Sequence, residues 1–319
     1  MVNYLIAILT FVLVYAILSL GLNVQWGYTG LVNLGHVGFF ALGAYTSALL
    51  AKLGFPFILS LAAAMILAAF FGSLLALTTL RLKEDFLAIV TLGFSEILRL
   101  FLLNEDWLTG GANGIIAIPK PLWNYFTKHY DLFYLAVLAG VLVLVFLFLE
   151  RLRFSPYGRM LRAIREDEVV AATAGKNVFR SKVQAFTLGA ALAGLAGVFY
   201  AHYLAYIAPD MFIPMVSINV WVALIAGGSG NNKGAILGAF VLMGFLEGTR
   251  FLKDFIPFLT GFRLAAVREI LVGLFLILLM IYRQEGVLPE EKIISYKGAA
   301  APHPPPNLPL EGGGMARSA

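Results

Sequence analysis

A series of long, uninterrupted apolar runs constrains this chain more than any other feature. The runs at 3–22, 57–80 and 132–149 are each close to membrane-spanning length, because a helix needs about 20 apolar residues to cross about 30 Å of hydrocarbon. Strands of a transmembrane barrel would instead alternate apolar and polar residues. The runs therefore predict an all-α polytopic membrane protein, in which helices pair the backbone polar groups that lipid cannot solvate.

The composition supports the same fold class. Hydrophobic residues make up 60% of the chain and charged residues 13%, about half the charge of a soluble domain. A soluble globule and a disordered chain are therefore excluded. Although the net charge is +5, we expect the basic residues to meet a lipid bilayer and not a nucleic acid. Cysteine is absent and the four histidines lack metal-ligand spacing, so we expect no metal and no cofactor.

The apolar runs predict about nine to ten transmembrane helices, one of them interrupted. The polar, glycine-rich sequence NVQWGYTGLVNLGH begins at Asn23, and the apolar run after it is too short to span alone. We therefore interpret 23–50 as one interrupted helix whose first half lies in the protein interior. The predicted spans are 3–22, 23–50, 57–80, 86–103, 132–149, 183–207, 211–226, 235–251 and 264–282.

The distribution of lysine and arginine predicts the orientation. The loops at 81–85, 150–182 and 227–234, together with the tail, fall on one side and hold more than twice as many basic residues as the other side. The positive-inside rule places that side in the cytoplasm. We expect a transmembrane domain over 1–283 with a cytoplasmic loop at 151–182. The Pro- and Gly-rich tail, 284–319, is predicted to be cytoplasmic and disordered.

The cytoplasmic loop has the pattern of a short amphipathic helix. Pro156 can begin it and Gly175 can end it. Such a helix either lies on lipid headgroups or docks into a groove on a soluble partner. The pattern Glu168-x-x-Ala171-Ala172-x-x-Gly175 favours docking, because small residues allow a close approach.

The interrupted segment offers a set of polar candidates for a translocation path. Broken helices commonly expose backbone dipoles to a substrate, whereas the alternative is that these side chains bridge neighbouring helices. The two interpretations are equally favoured for the segment, and packing is favoured for any single residue. The candidates are Asn23, Gln25, Tyr28, Thr29, Asn33 and His36.

Two charged residues lie within the predicted span at 86–103. Glu96 and Arg99 are three residues apart, so they share one helix face and can pair. Charges at membrane depth are costly, and an internal ion pair is the preferred interpretation. A place for Glu96 in the translocation path is the alternative.

Several segments resemble one transporter family. The loop residues Arg165, Glu168, Ala171, Ala172 and Gly175 resemble the EAA-type coupling loop of ATP-binding cassette (ABC) importer permeases. GLNVQWGYTGLVNLGHVGFFALGAYTSALL at 21–50 is similar to the N-terminal signature of the branched-chain amino acid permease family. LKEDFLAIVTLGFSEILRLFLLNEDWLTGGANGI at 82–115 is similar to the segment that marks its LivM-type subunit. The resemblance extends to about residue 289.

The resemblance implies an ABC importer permease fold over 1–283 and a bacterial-type inner membrane location. It implies a permease subunit that translocates leucine, isoleucine and valine and is not itself an enzyme. The implied partners are a LivH-type sister permease, two cytosolic ATP-binding cassette subunits and an extracytoplasmic solute-binding protein. ATP would be bound by the partners, since the chain has no G-x-x-x-x-G-K-[ST] motif.

Two other functions are compatible with the sequence. A urea or short-chain amide importer permease of the same family would look alike in sequence. An ion-coupled secondary transporter would need titratable groups inside the membrane, for which Glu96 or Glu247 is available. The amphipathic loop helix argues against such a carrier, because a transporter that acts alone has no soluble partner for the helix to bind.

Overall fold

The computed structural model describes residues 2–80, 84–123, 129–248, 261–283 and 286–290. The predicted all-α fold is confirmed, because almost all of these residues lie in helices. The strands in the described ranges are β1 (Ile115–Ile116) and β2 (Tyr206–Ile207), which pair antiparallel with Ile115 opposite Ile207.

The described residues contain twelve α-helices. They are α1 (Val2–Leu22), α2 (His36–Lys52), α3 (Phe57–Thr79), α4 (Glu84–Asn104), α5 (Asp106–Thr109), α6 (Tyr130–Phe154), α7 (Pro156–Glu166), α8 (Glu168–Thr173), α9 (Val178–Leu204), α10 (Pro214–Gly227), α11 (Asn232–Gly248) and α12 (Gly261–Tyr282). Within the described ranges, 6 helices are long and apolar enough to cross a membrane. Each predicted span overlaps a helix, and α11 and α12 contain shorter apolar stretches.

Helices α1 and α9 form the centre of the bundle. About two thirds or more of their apolar windows are buried, compared with 22% for α3, α4 and α6. Small residues allow this packing, since a Cβ added at Gly43 of α2 would lie 2.5 Å from the Cα of Gly194 in α9. A Cβ at Gly72 of α3 would similarly lie 2.5 Å from the Cβ of Ala190. The glycine- and alanine-rich sequence of α9 thus lets several helices approach one axis closely.

The bundle has two distinct ends. At the strand end, β1 and β2 pair, and the imidazole Nδ1 of His202 lies 2.8 Å from the carbonyl oxygen of Pro119. At the loop end, α7 and α8 connect α6 to α9, and residues 286–290 lie against the end of α10 and contact α7 through Glu290.

The interruption after α1 lies later than the sequence predicts. Residues from Asn23 to Gly27 form a π-helical turn that continues α1, so the polar segment extends the first helix and does not begin the second. The chain turns at Gly30, whose φ of 74° favours glycine. A Cβ at Gly27 would lie 2.7 Å from the backbone nitrogen of Gly230, so only glycine lets the α10–α11 turn approach the end of α1.

The start of the tail also differs from the prediction. Residues 286–290 were expected to be disordered as part of 284–319, but Val287 and Leu288 donate backbone hydrogen bonds to the carbonyl oxygens of Ala226 and Gly227, each at 2.9 Å. These bonds satisfy carbonyl groups at the end of α10. The remainder of the predicted tail lies outside the described residues.

Candidate functional site

The structure brings the six polar path candidates together at the loop end of α1. Each of them is at most 2% exposed. Each also has a hydrogen-bond partner within the protein, which favours the packing interpretation for the single residues. They are Asn23, Gln25, Tyr28, Thr29, Asn33 and His36.

One part of this cluster fastens the break between α1 and α2. The amide nitrogen of Asn33 donates to Gln25 Oε1 at 2.8 Å, and Gln25 Nε2 donates to the carbonyl oxygen of Phe186 in α9 at 2.9 Å. His36 Nε2 lies 3.1 Å from the carbonyl oxygen of Leu18. The indole nitrogen of Trp221 donates to the carbonyl oxygen of Asn33 at 2.9 Å. Side chains thus replace the backbone pairing that the helix break removes.

The other part is centred on Asn232, which is not among the predicted candidates. Its Oδ1 accepts from Tyr28 Oη at 2.7 Å and from Asn23 Nδ2 at 3.1 Å. Its Nδ2 donates to Glu150 Oε2 at 2.8 Å. The signal available in the sequence was a polar Asn-Asn pair at 231–232, directly before an apolar helix.

Charged groups extend this network toward α7. Glu150 Oε1 lies 3.4 Å from Arg153 Nη1, and the Arg153 side chain is only 1% exposed. Arg162 of α7 donates to the carbonyl oxygen of Arg153 at 2.9 Å. The end of α6 is therefore joined both to the polar cluster and to the loop.

Arg165, a predicted coupling residue, also faces the bundle. Its guanidinium donates to the carbonyl oxygen of Gly27 in the π-helical turn and pairs with Glu290 at 2.5 Å. Arginine suits this position because its planar fork can hold two acceptors at once. The residue thus connects the loop to the interrupted end of α1.

The loop contains two helices, whereas the sequence predicts one helix over 157–175. The extended backbone of Asp167 separates α7 from α8, and its carboxylate accepts from the backbone nitrogens of Val169 and Val170 at 2.9 and 3.0 Å. Aspartate is a strong N-cap, so Asp167 stabilises the start of a new helix and interrupts the single helix that the sequence predicts. Glu168 then pairs with Lys182 of α9 at 2.6 Å.

Of the remaining predicted coupling residues, Ala171 and Ala172 lie on different faces of α8, and Gly175 follows the helix. Ala171 is buried in a small cluster with Ile164 and Val178, whereas Ala172 and Gly175 are exposed. Val169 and Val170 add exposed apolar surface, at 72% and 63%. We call the surface of Val169, Val170, Ala172 and Thr173 the α8 edge. The docking role of these residues stays a prediction.

Tyr157 joins α7 to the first turn of α9. Its hydroxyl lies 3.4 Å from the carbonyl oxygen of Ser181, and burial raises the pKa of Tyr157. A tyrosine hydroxyl is protonated at neutral pH even at its ordinary pKa of about 10, and burial strengthens that preference.

Glu96 lies apart from the polar cluster. Its carboxylate pairs with Arg99 at 3.0 Å, as the sequence predicts, and Arg99 lies 3.9 Å from Asp210 near the strand end. The Glu247 side chain lies outside the residues whose side chains are described. Across the described ranges, His, Asp and Glu residues form no group of three that could hold a metal ion.

Comparison with known proteins identifies the family. Residues 4–281 match the family model described as the permease component of a branched-chain amino acid transport system. The chain belongs to this family.

The permease is similar to named members from bacteria and archaea. It is 39% identical to the high-affinity branched-chain amino acid transport system permease protein LivM of Escherichia coli (strain K12), over 88% of this chain and 69% of LivM. It is 28% identical to a probable LivM of Methanocaldococcus jannaschii, over 88% and 92%. It is also 27% identical to the LivH permease of Escherichia coli, over 72% and 79%. No solved structure matches the permease.

These relatives and the apolar helices establish a multi-pass membrane protein of the transport permease class. The chain is more similar to LivM than to LivH in identity and in the share of this chain that is matched, which supports a LivM-type permease.

Proposed function

We propose that this chain is the LivM-type permease subunit of an ABC importer that moves leucine, isoleucine and valine across the inner membrane. The observation that carries the proposal is the loop at 151–182, which exposes the α8 edge and joins the interrupted end of α1 through Arg165. A loop that exposes an apolar surface to a partner and is also bonded to the transmembrane helices is suited to transmit a movement of that partner. Family membership supports the transport class and the solute.

The loop end faces the cytoplasm in this proposal. The basic residues of the loops at 150–182 and 227–234 support that orientation. The strand end then faces outward, where Trp107 and Ile116 are 81% and 62% exposed and suit contact with a solute-binding protein.

The assembly pairs this permease with a LivH-type sister, two cytosolic ATPases and an extracytoplasmic solute-binding protein. Closure of the ATPases on ATP displaces α8, and α7 moves with it because Ala171 packs against Ile164. Arg165 and Arg162 pass the movement to the ends of α1 and α6. Outward-open and inward-open states exchange only because ATP and the loaded binding protein favour different states.

The six buried polar residues stabilise the interrupted helix within this mechanism. The side chains of Gln25 and Asn23 bond to α9 and α11, and the Trp221 indole of α10 donates to the backbone carbonyl oxygen of Asn33. These contacts hold the end of α1 as one unit with its neighbours. We infer that solute moves past these helices and not through the hydrogen bonds of the cluster.

The test is solute uptake by the complete importer in proteoliposomes. Labelled leucine should accumulate only when ATP, both ATPases and the solute-binding protein are present. Accumulation of labelled urea in place of leucine would support the amide alternative. Uptake by this chain alone, driven by an ion gradient, would overturn the proposal in favour of a secondary transporter.

A further inference from the structure

Residues 286–290, which we call the strap, cross the loop end of the bundle after α12. The backbone nitrogens of Val287 and Leu288 donate to carbonyl oxygens at the end of α10. Gly286 lies so close to Gly228 that an added Cβ would be 2.5 Å from the Gly228 Cα. The strap is therefore seated against the turn that joins α10 to α11.

A side chain of that turn holds the strap from the other side. Asn231 Nδ2 donates to the carbonyl oxygen of Pro289 at 3.1 Å and lies 3.4 Å from that of Leu288. Asn231 Oδ1 accepts from the backbone nitrogen of Lys233 at 3.0 Å, which fixes the orientation of the amide. These backbone and amide contacts hold residues 287–289 in place, so they fix the position of residue 290 independently of its side chain.

Glu290 joins the strap to α7. One carboxylate oxygen lies 2.5 Å from Arg165 Nη2 and the other lies 3.9 Å from Arg162 Nη1. The turn leaves room for this carboxylate, because a Cβ at Gly230 would lie 2.7 Å from Glu290 Oε2. Glu290 is 125 residues from Arg165 in sequence, so the contact is entirely tertiary.

We propose that Glu290 is a positioning residue for the coupling loop and that the strap links α7 to the α10–α11 turn. This inference rests on the proposed function of the loop. Arg165 then has two mechanical connections, one to α1 through Gly27 and one to α10 and α11 through Glu290. Displacement of α7 therefore moves α10 and α11 together with the ends of α1 and α6.

The pair is suited to positioning more than to stability. Both side chains are about one quarter exposed, and solvent-accessible ion pairs contribute little to folding. The guanidinium fork nevertheless fixes the direction of its acceptors. Loss of the carboxylate charge should therefore loosen α7 without unfolding the bundle.

The first test measures coupling in the complete importer with Glu290→Gln. ATP hydrolysed per leucine transported should rise about fivefold, at the low end of coupling between distinct sites, with the amount of assembled complex unchanged. Glu166→Gln removes one charge from an exposed position on α7 and is the matched control. An unchanged ratio in Glu290→Gln, or a reduced amount of complex with an unchanged ratio, would overturn the inference.

The second test does not depend on transport. Hydrogen exchange of the assembled importer should rise about tenfold in both the strap and α7 in Glu290→Gln, because local opening costs less when a fastening contact is lost. Glu166→Gln should leave both segments protected. Exchange that rises in neither segment, or in the strap alone, would overturn the inference. If uptake of leucine by the native importer fails while the exchange result holds, the proposed function is contradicted and the strap contact is retained.

Discussion

The two helices of the loop at 151–182 lie side by side but relate to the bundle in opposite ways. Helix α7 directs Arg162 and Arg165 inward, onto Arg153, Gly27 and Glu290. Helix α8 buries Ala171 and leaves Val169 and Val170 exposed. In the proposed mechanism, α7 is therefore the helix that is fastened to the bundle, and α8 is the helix that keeps an exposed face for a partner.

The strongest test of the fastened helix is Arg165→Ala. Leucine uptake by the complete importer should fall about a hundredfold, near the upper end of coupling between distinct sites, because the change removes the connections of α7 to both Gly27 and Glu290. ATP hydrolysis should persist. Arg180→Ala, at an exposed position, is the control. Equal uptake by the two variants would show that α7 is not the connection.

Asn232→Ala tests the network to which α7 is fastened. The change leaves Tyr28, Asn23 and Glu150 without their shared partner, and an unsatisfied buried polar group costs roughly 1–3 kcal/mol. We expect a lower midpoint in thermal unfolding of the purified permease. Asn113→Ala, at an exposed position near the strand end, should leave the midpoint unchanged. The network is not structural if both variants unfold alike.

Two tryptophan substitutions compare the faces of α8. Ala172→Trp adds bulk to the α8 edge. It should reduce leucine uptake about tenfold, because an interface of small residues requires close approach. ATP hydrolysis and thermal stability should be retained. Ala171→Trp forces bulk into a buried site and should lower thermal stability, since overpacking costs about 1–3 kcal/mol. Normal transport by Ala172→Trp would remove the α8 edge from the docking surface.

The smallest effect is expected at the junction of the two helices. Asp167→Ala removes the carboxylate that caps α8, which costs about 1 kcal/mol. Hydrogen exchange of the α8 amides should rise by about fivefold, while that of α7 stays unchanged. Asp167→Asn keeps a capping oxygen and should resemble the native protein. A parallel rise in α7 would mean that the two helices are not separate units.

The sequence predicted those features that depend on neighbours along the chain. Apolar runs placed the spanning helices, and the spacing of Glu96 and Arg99 predicted their ion pair. The loop at 151–182 was recognised as helical, but its division at Asp167 was missed. An N-cap stabilises a new helix start by about 1 kcal/mol. The periodicity of apolar residues does not reveal whether a difference of that size favours one continuous helix or two.

The sequence by itself determined the membrane class, the long apolar spans and the family motifs, because hydropathy and local spacing act over a few turns of one helix. Only the tertiary structure decided that Asn232 meets Asn23 across 209 residues and that Glu290 meets Arg165 across 125. Those contacts depend on how closely the glycine-rich helices approach one another. The packing of the helices, and not the position of a polar residue in the sequence, decides which group becomes its hydrogen-bond partner in the interior.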